Sequence, residues 1–247
     1  MINSTIIQGN DMNKVKTTLV LSTLLLSQPI TSLADATNNM FGVWGSATLQ
    51  GDFKALSPSL NKFNWLIMNQ SRTREDSPSG SRLTENLLFS QIGYQMTDKA
   101  SLEFGYVHDW IHPLDKASYQ ESRPYQSFVW NQTIDGFKLM SRTRLEERVN
   151  QTTGNVGIRP RQLLQISHPL PFMKDLSAYV GDEVFFYLNE NKFGKQGFSE
   201  NRVLAGLSYQ FTPKLGADLG YLGQFVENKT GSDLFTHNLQ ANIRYKF

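Results

Sequence analysis

The chain has no cysteine, no apolar run long enough to cross a membrane as a helix, and almost no imbalance of charge across its 247 residues. Without cysteine there is no disulfide framework and no lipid-anchored N-terminal cysteine, which excludes a lipoprotein. The longest apolar stretch, Leu19 to Leu26, falls well short of the roughly 20 residues a membrane-spanning helix needs. Lys and Arg total 24 against 22 Asp and Glu, and a net charge of +2 gives no argument for nucleic acid as a partner. Histidine is also sparse, at four residues, so imidazole chemistry has few places to reside.

What is present is aromatic and alternating. Phe, Tyr and Trp make up 12% of a chain that is only 39% hydrophobic, a composition too polar for a bundle of membrane helices. The last fourteen residues, Leu234 to Phe247, place Phe235, His237, Leu239, Ala241, Ile243, Tyr245 and Phe247 on one face. Leu234, Thr236, Asn238, Gln240, Asn242, Arg244 and Lys246 fall on the other. A period of two with one apolar and one wet side is a strand, and a chain that repeats it fits a closed barrel with lipid outside and polar groups within. Ile243, Tyr245 and Phe247 then form the C-terminal signal expected to engage the barrel-assembly machinery.

The N-terminus points the same way. Lys14 and Lys16 precede the apolar run, and Ala34-Asp35-Ala36 supplies the small residues of a signal-peptidase site, so residues 1–36 read as a leader and cleaved signal peptide. Residues 37–247 form the barrel domain, expected in the outer membrane of a Gram-negative bacterium with lipids and lipopolysaccharide as partners. Removing the leader takes away Asp11, Lys14, Lys16 and Asp35 and leaves the charge balance unchanged. The remaining chain, about 210 residues, suits one all-β domain.

Period-two patterning places strands near Phe41–Asp52, Lys62–Thr73, Leu83–Gln95, Ser101–Trp110, Ser122–Thr133 and Phe137–Arg148. Five more follow near Arg159–His168, Leu176–Leu188, Ser199–Phe211, Leu215–Val226 and Leu234–Phe247. Connections alternate between tight turns (Met96 to Lys99, Ile134 to Gly136, Thr212 to Lys214) and longer polar loops, the outer-membrane pattern. Bacterial barrels have even strand numbers. That rule makes the first segment less than a full wall strand, predicting a ten-stranded antiparallel up-and-down transmembrane β-barrel, with twelve strands as the alternative.

Facing the side chains identifies the lumen. Outward Leu102, Phe104, Tyr106 and Trp110 leave Ser101, Glu103, Gly105 and Asp109 inside, and outward Phe137, Leu139 and Leu145 leave Arg142, Arg144, Glu146 and Arg148 inside. The same alternation puts Glu183, Glu200 and Arg202 in the interior, with Asp182 breaking the pattern. Arg142, Arg144, Glu146, Arg148, Glu183 and Arg202 thus form the candidate site, a charge network that low dielectric would force to pair. Such a network either lines a narrow channel for a small polar solute or plugs a structural envelope barrel. Arg72, Arg74 and Arg82 flank a Gly/Pro loop, Ser77 to Gly80, and read as a cationic rim facing lipopolysaccharide phosphates.

A third possibility, a lipid-modifying hydrolase, needs a serine and a histidine together on the lipid side of the wall. Ser167 and His168 are adjacent and point to opposite faces, His108 lies beside Trp110 on the apolar face, and His237 sits near the edge. No catalytic residue is assigned on this basis. His108 and His112 lack a third ligand, so no metal or cofactor is expected.

The phrases Arg142-Thr143-Arg144-Leu145-Glu146-Glu147-Arg148, Asp182-Glu183-Val184-Phe185-Phe186 and Phe198-Ser199-Glu200-Asn201-Arg202, followed by Gly206-Leu207-Ser208-Tyr209 and Gly220-Tyr221, resemble the domain of unknown function 2490 family. The resemblance runs from Trp44 to Phe247. It implies a Gram-negative outer-membrane barrel and brings no activity or catalytic residue with it.

Overall fold

A computed structural model describes residues 37–54, 56–75, 80–114 and 116–247; the proposed leader and most of the Ser77 to Gly80 loop tip lie outside the described residues. Eleven strands close into one barrel: β1 (Thr37–Asp52), β2 (Phe63–Glu75), β3 (Ser81–Gln95), β4 (Ala100–Ile111), β5 (Tyr119–Ile134), β6 (Phe137–Asn150), β7 (Val156–Pro169), β8 (Leu176–Tyr187), β9 (Gly197–Gln210), β10 (Leu215–Val226) and β11 (Asp233–Lys246). Each strand is antiparallel to its successor, and β1 closes on β11 in parallel from Thr37↔Asp233 to Gln50↔Lys246.

The expectation of ten or twelve strands, all antiparallel, is therefore corrected. The alternating pattern had marked all eleven segments, and the even-number rule had set the first aside. An odd meander leaves its first and last strands running the same way, so closure has to be parallel. Parallel pairing is slightly weaker per residue, and here it is carried along nearly the whole of both strands. The Phe247 amide continues the ladder by donating to the Gln50 carbonyl at 3.0 Å.

The two ends differ as expected. Asp135 and Gly136 turn β5 into β6 with φ of 49° and 83°, the double left-handed geometry of a two-residue hairpin. The opposite end carries the longer loops, among them residues 188–196 and 227–232. One exception is the β1–β2 connection, which sits at the short-turn end yet holds a 3-10 turn, Pro58–Leu60.

The wall is apolar on its outside. Val43, Ile67, Ile92, Leu164, Val180, Val203, Leu207, Leu219 and Leu239 are exposed there. Exposed aromatics gather toward both ends: Phe41, Tyr106 and Tyr221 near the long loops, and Tyr94, Trp130, Phe137, Phe211 and Tyr245 near the short turns. The inside is filled or polar, so the usual arrangement of a water-soluble protein is inverted.

Close filling depends on glycine at defined inward positions. A Cβ on Gly206 would lie 2.6 Å from Tyr179 Oη and 2.7 Å from the Leu219 carbonyl oxygen, and one on Gly220 would lie 2.5 Å from the Ala205 carbonyl oxygen. The Tyr179 ring occupies the space those side chains would take. Gly206→Val is accordingly expected to cost about 1–3 kcal/mol through overpacking, read as a lower urea midpoint in the loss of heat-modifiable gel mobility. An unchanged midpoint would show that the ring moves freely.

Candidate functional site: a charged network in the lumen

The side chains from mid-height to the long-loop end form three neighbouring groups of ion pairs. Glu183 on β8 accepts from Arg142 on β6 at 2.9 Å and from Arg161 on β7 at 2.9 Å, with Arg202 on β9 at 3.9 Å. Glu146 on β6 takes Arg161 at 2.8 Å and pairs with Arg159. Glu200 on β9 accepts from Arg202 at 2.5 Å and from Gln224 at 2.6 Å. On the neighbouring arc Glu121 accepts from Arg123 and Arg148, each at 2.7 Å, and Arg123 also pairs with Asp109. Arg72 joins Glu85 at 2.7 Å.

Aromatic rings occupy the middle of this set. Phe185 has no exposed surface, and the guanidinium carbons of Arg161 and Arg202 each lie 4.5 Å from its ring centroid, with Arg159 at 5.1 Å. Trp44 lies under Arg72 at 3.8 Å and beside Arg202 at 5.0 Å. Arginine suits this role because its planar, weakly hydrated cation can stack on a ring while its edge holds carboxylates.

Of the six residues chosen from the sequence, Arg142, Glu183 and Arg202 meet directly, while Glu146 joins them through Arg161 and Arg148 belongs to the Glu121 arc. Arg144 stands apart, donating to Ser127 Oγ at 2.9 Å and lying 3.9 Å over the Tyr125 ring. Arg159 and Arg161 were missed because Pro160 and Gln162 interrupt the apolar face of β7 and hide its alternation. Glu121 lies one residue before the segment the pattern marks, Ser122–Thr133, whereas β5 begins at Tyr119. Arg72 is corrected: it points inward, is buried and is paired, because it shares the face of Gln70 rather than the rim. Arg82 donates to the carbonyls of Pro113 and Leu114.

Burial decides what the set can do. Asp109, Glu121, Glu146, Glu183, Arg144, Arg159 and Arg202 retain between 0% and 7% of their surface. Burying charge this deeply is costly and is offset by opposite charges close by, although both Asp109 carboxylate oxygens and Arg142 Nε lack a hydrogen-bond partner among the described residues. Above them loop 188–196 folds inward, with Phe193 lying 4.4 Å from the Arg148 guanidinium and Asn191 buried. Lys229 bridges this loop to the next by donating to Glu190 Oε2 at 3.0 Å, which holds that carboxyl below its usual range. Toward the short turns the lining changes to half-buried Gln91, Glu103, Gln165, Gln240 and Asn242, a polar cup beneath the ion pairs.

This inside-out barrel with a charged interior defines the class of protein. The family model described as protein of unknown function (DUF2490) matches residues 41–235, and the chain belongs to that family. It is also similar to an uncharacterized protein of Methylorubrum extorquens, 30% identical over 172 residues, covering 68% of this chain and 75% of the relative.

Proposed function

We propose that this protein is an outer-membrane barrel with a plugged lumen and a structural role in the envelope. The observation that carries this reading is the paired and nearly waterless network of Asp109, Glu121, Glu146, Glu183 and their arginines. A charge-selective pore needs water or solute to reach its charged ring, whereas here each carboxylate already faces guanidinium groups. The apolar wall and its two aromatic zones support placement in a bilayer, and the tight-turn end would face the periplasm.

The test is electrical. Purified barrels in planar bilayers are expected to be silent at 100 mV and below, and Arg161→Ala combined with Glu183→Ala is expected to introduce discrete steps. Steady ohmic steps from the wild type would favour the narrow-channel reading instead. Fractionation of a two-membrane bacterium should recover the chain with outer-membrane lipopolysaccharide; recovery in the soluble periplasm would contradict the placement.

A further inference from the structure

We propose that the outer face of β4 and β5 carries a serine hydrolase site for acyl esters, built from Ser122, Tyr106, His108 and Gln120. His108 and Ser122 are directly opposed across the two strands. His108 Nε2 lies 3.0 Å from Gln120 Oε1, Tyr106 Oη lies 3.4 Å from His108 Nδ1, and the same Oη lies 2.8 Å from Ser122 Oγ. Gln151 Nε2, from the loop after β6, donates to Ser122 Oγ at 2.7 Å.

The bonding pattern admits a proton arrangement suited to catalysis. An amide oxygen only accepts, so the Gln120 contact places the imidazole proton on Nε2 and leaves the Nδ1 lone pair facing Tyr106. With Ser122 Oγ accepting from Gln151, its own proton can point at Tyr106 Oη and the tyrosine proton at Nδ1. The chain is thus a nucleophile, a relay, a base and a group that orients the base, a serine–base pair extended by one tyrosine hydroxyl.

In the reaction Ser122 Oγ would add to the carbonyl carbon of an ester while its proton moves to Tyr106 Oη and the tyrosine proton moves to His108 Nδ1. The C–O bond to the alcohol then breaks, the alcohol leaves with the proton returned along the same path, and the acyl group stays on Ser122. Water enters by the reverse sequence and releases a fatty acid. Gln151 is the side-chain N–H donor beside the nucleophile. The site lies at the long-loop end, with Leu88 opposite His108 and Phe104 exposed on the same wall below it. An acyl chain could lie along those residues while its ester sits at the rim, so the substrate class is an acyl ester of a membrane lipid.

His237 provides a contrast on the same wall. It too contacts a tyrosine, Tyr221 Oη at 2.8 Å, but its other ring neighbours are Phe41 and Phe235. A second imidazole, with no serine hydrogen-bonded to that tyrosine among the described residues, is the built-in control.

The experiment is covalent labelling of the detergent-purified, heat-modifiable full barrel with a soluble fluorophosphonate, followed by hydrolysis of p-nitrophenyl palmitate and p-nitrophenyl acetate. Wild type is expected to be labelled on Ser122, Ser122→Ala to lose the label, and His108→Ala to slow labelling at least about 100-fold, the range for loss of a general base. Tyr106→Phe should also slow it, and His237→Ala should leave it unchanged. Palmitate should turn over faster than acetate. Absence of label on folded wild type, label retained in Ser122→Ala, or labelling unaffected by His108→Ala would overturn the assignment. Because the probe is soluble, this outcome is independent of the plug and of membrane placement.

Discussion

Glu146→Ala is expected to destabilise the barrel by about 3–5 kcal/mol, the cost of leaving buried charge without its partner. Glu146 is 2% exposed and holds both Arg159 and Arg161. Its removal would leave two guanidiniums crowded against Phe185 with one less carboxylate to share. Urea unfolding in detergent, followed by tryptophan emission, reads the change. Replacing Glu146 and Arg159 together with leucine should restore more than half of the loss, since a buried pair exchanged for packed apolar groups is often nearly neutral. By contrast Glu190→Ala, which removes the exposed loop pair with Lys229, should leave the midpoint unchanged. Equal effects at Glu146 and Glu190 would mean that water reaches the network.

Val43→Cys with Leu239→Cys is expected to give nearly complete disulfide formation on mild oxidation. The two residues are register partners across the β1–β11 seam and both face outward. Neighbouring strands lie about 4.8 Å apart, inside the roughly 4.4–6.8 Å Cα separation a disulfide requires. The native chain has no cysteine, so no other thiol competes. Closing a ring of nearly two hundred residues should speed migration of the denatured, unreduced chain. A ten-stranded barrel would instead pair β2 with β11 and leave the two thiols free, so absence of the cross-link would contradict the parallel seam.

The strands and their faces were legible because one face must be apolar and the side-chain period is two. Leu102, Phe104, Tyr106 and Trp110 on β4, broken only by His108, and Val203, Ala205, Leu207 and Tyr209 on β9 carry that pattern. Strand number was misjudged because parity was taken from a general rule while the residues of Phe41–Asp52 were sound. The lumen charges on β6 were legible for the same reason as its wall. Their partners were not, because pairing depends on which strands meet and at what register: Glu121 reaches Arg148 across 27 residues of chain. The Ser122 cluster was hidden likewise. Sequence spacing separates His108 from Ser122 by fourteen residues, and only the hairpin register sets them side by side.

Single nitroxide labels placed in turn at positions 203 to 208 on β9 test the central claim most directly, by power saturation in lipid vesicles. The account predicts that Val203, Ala205 and Leu207 are accessible to oxygen and shielded from a water-soluble nickel chelate, while positions 204, 206 and 208 lose that oxygen accessibility. Nickel access at 203, 205 and 207, or no alternation along the strand, would contradict a lipid-facing wall around a closed polar interior.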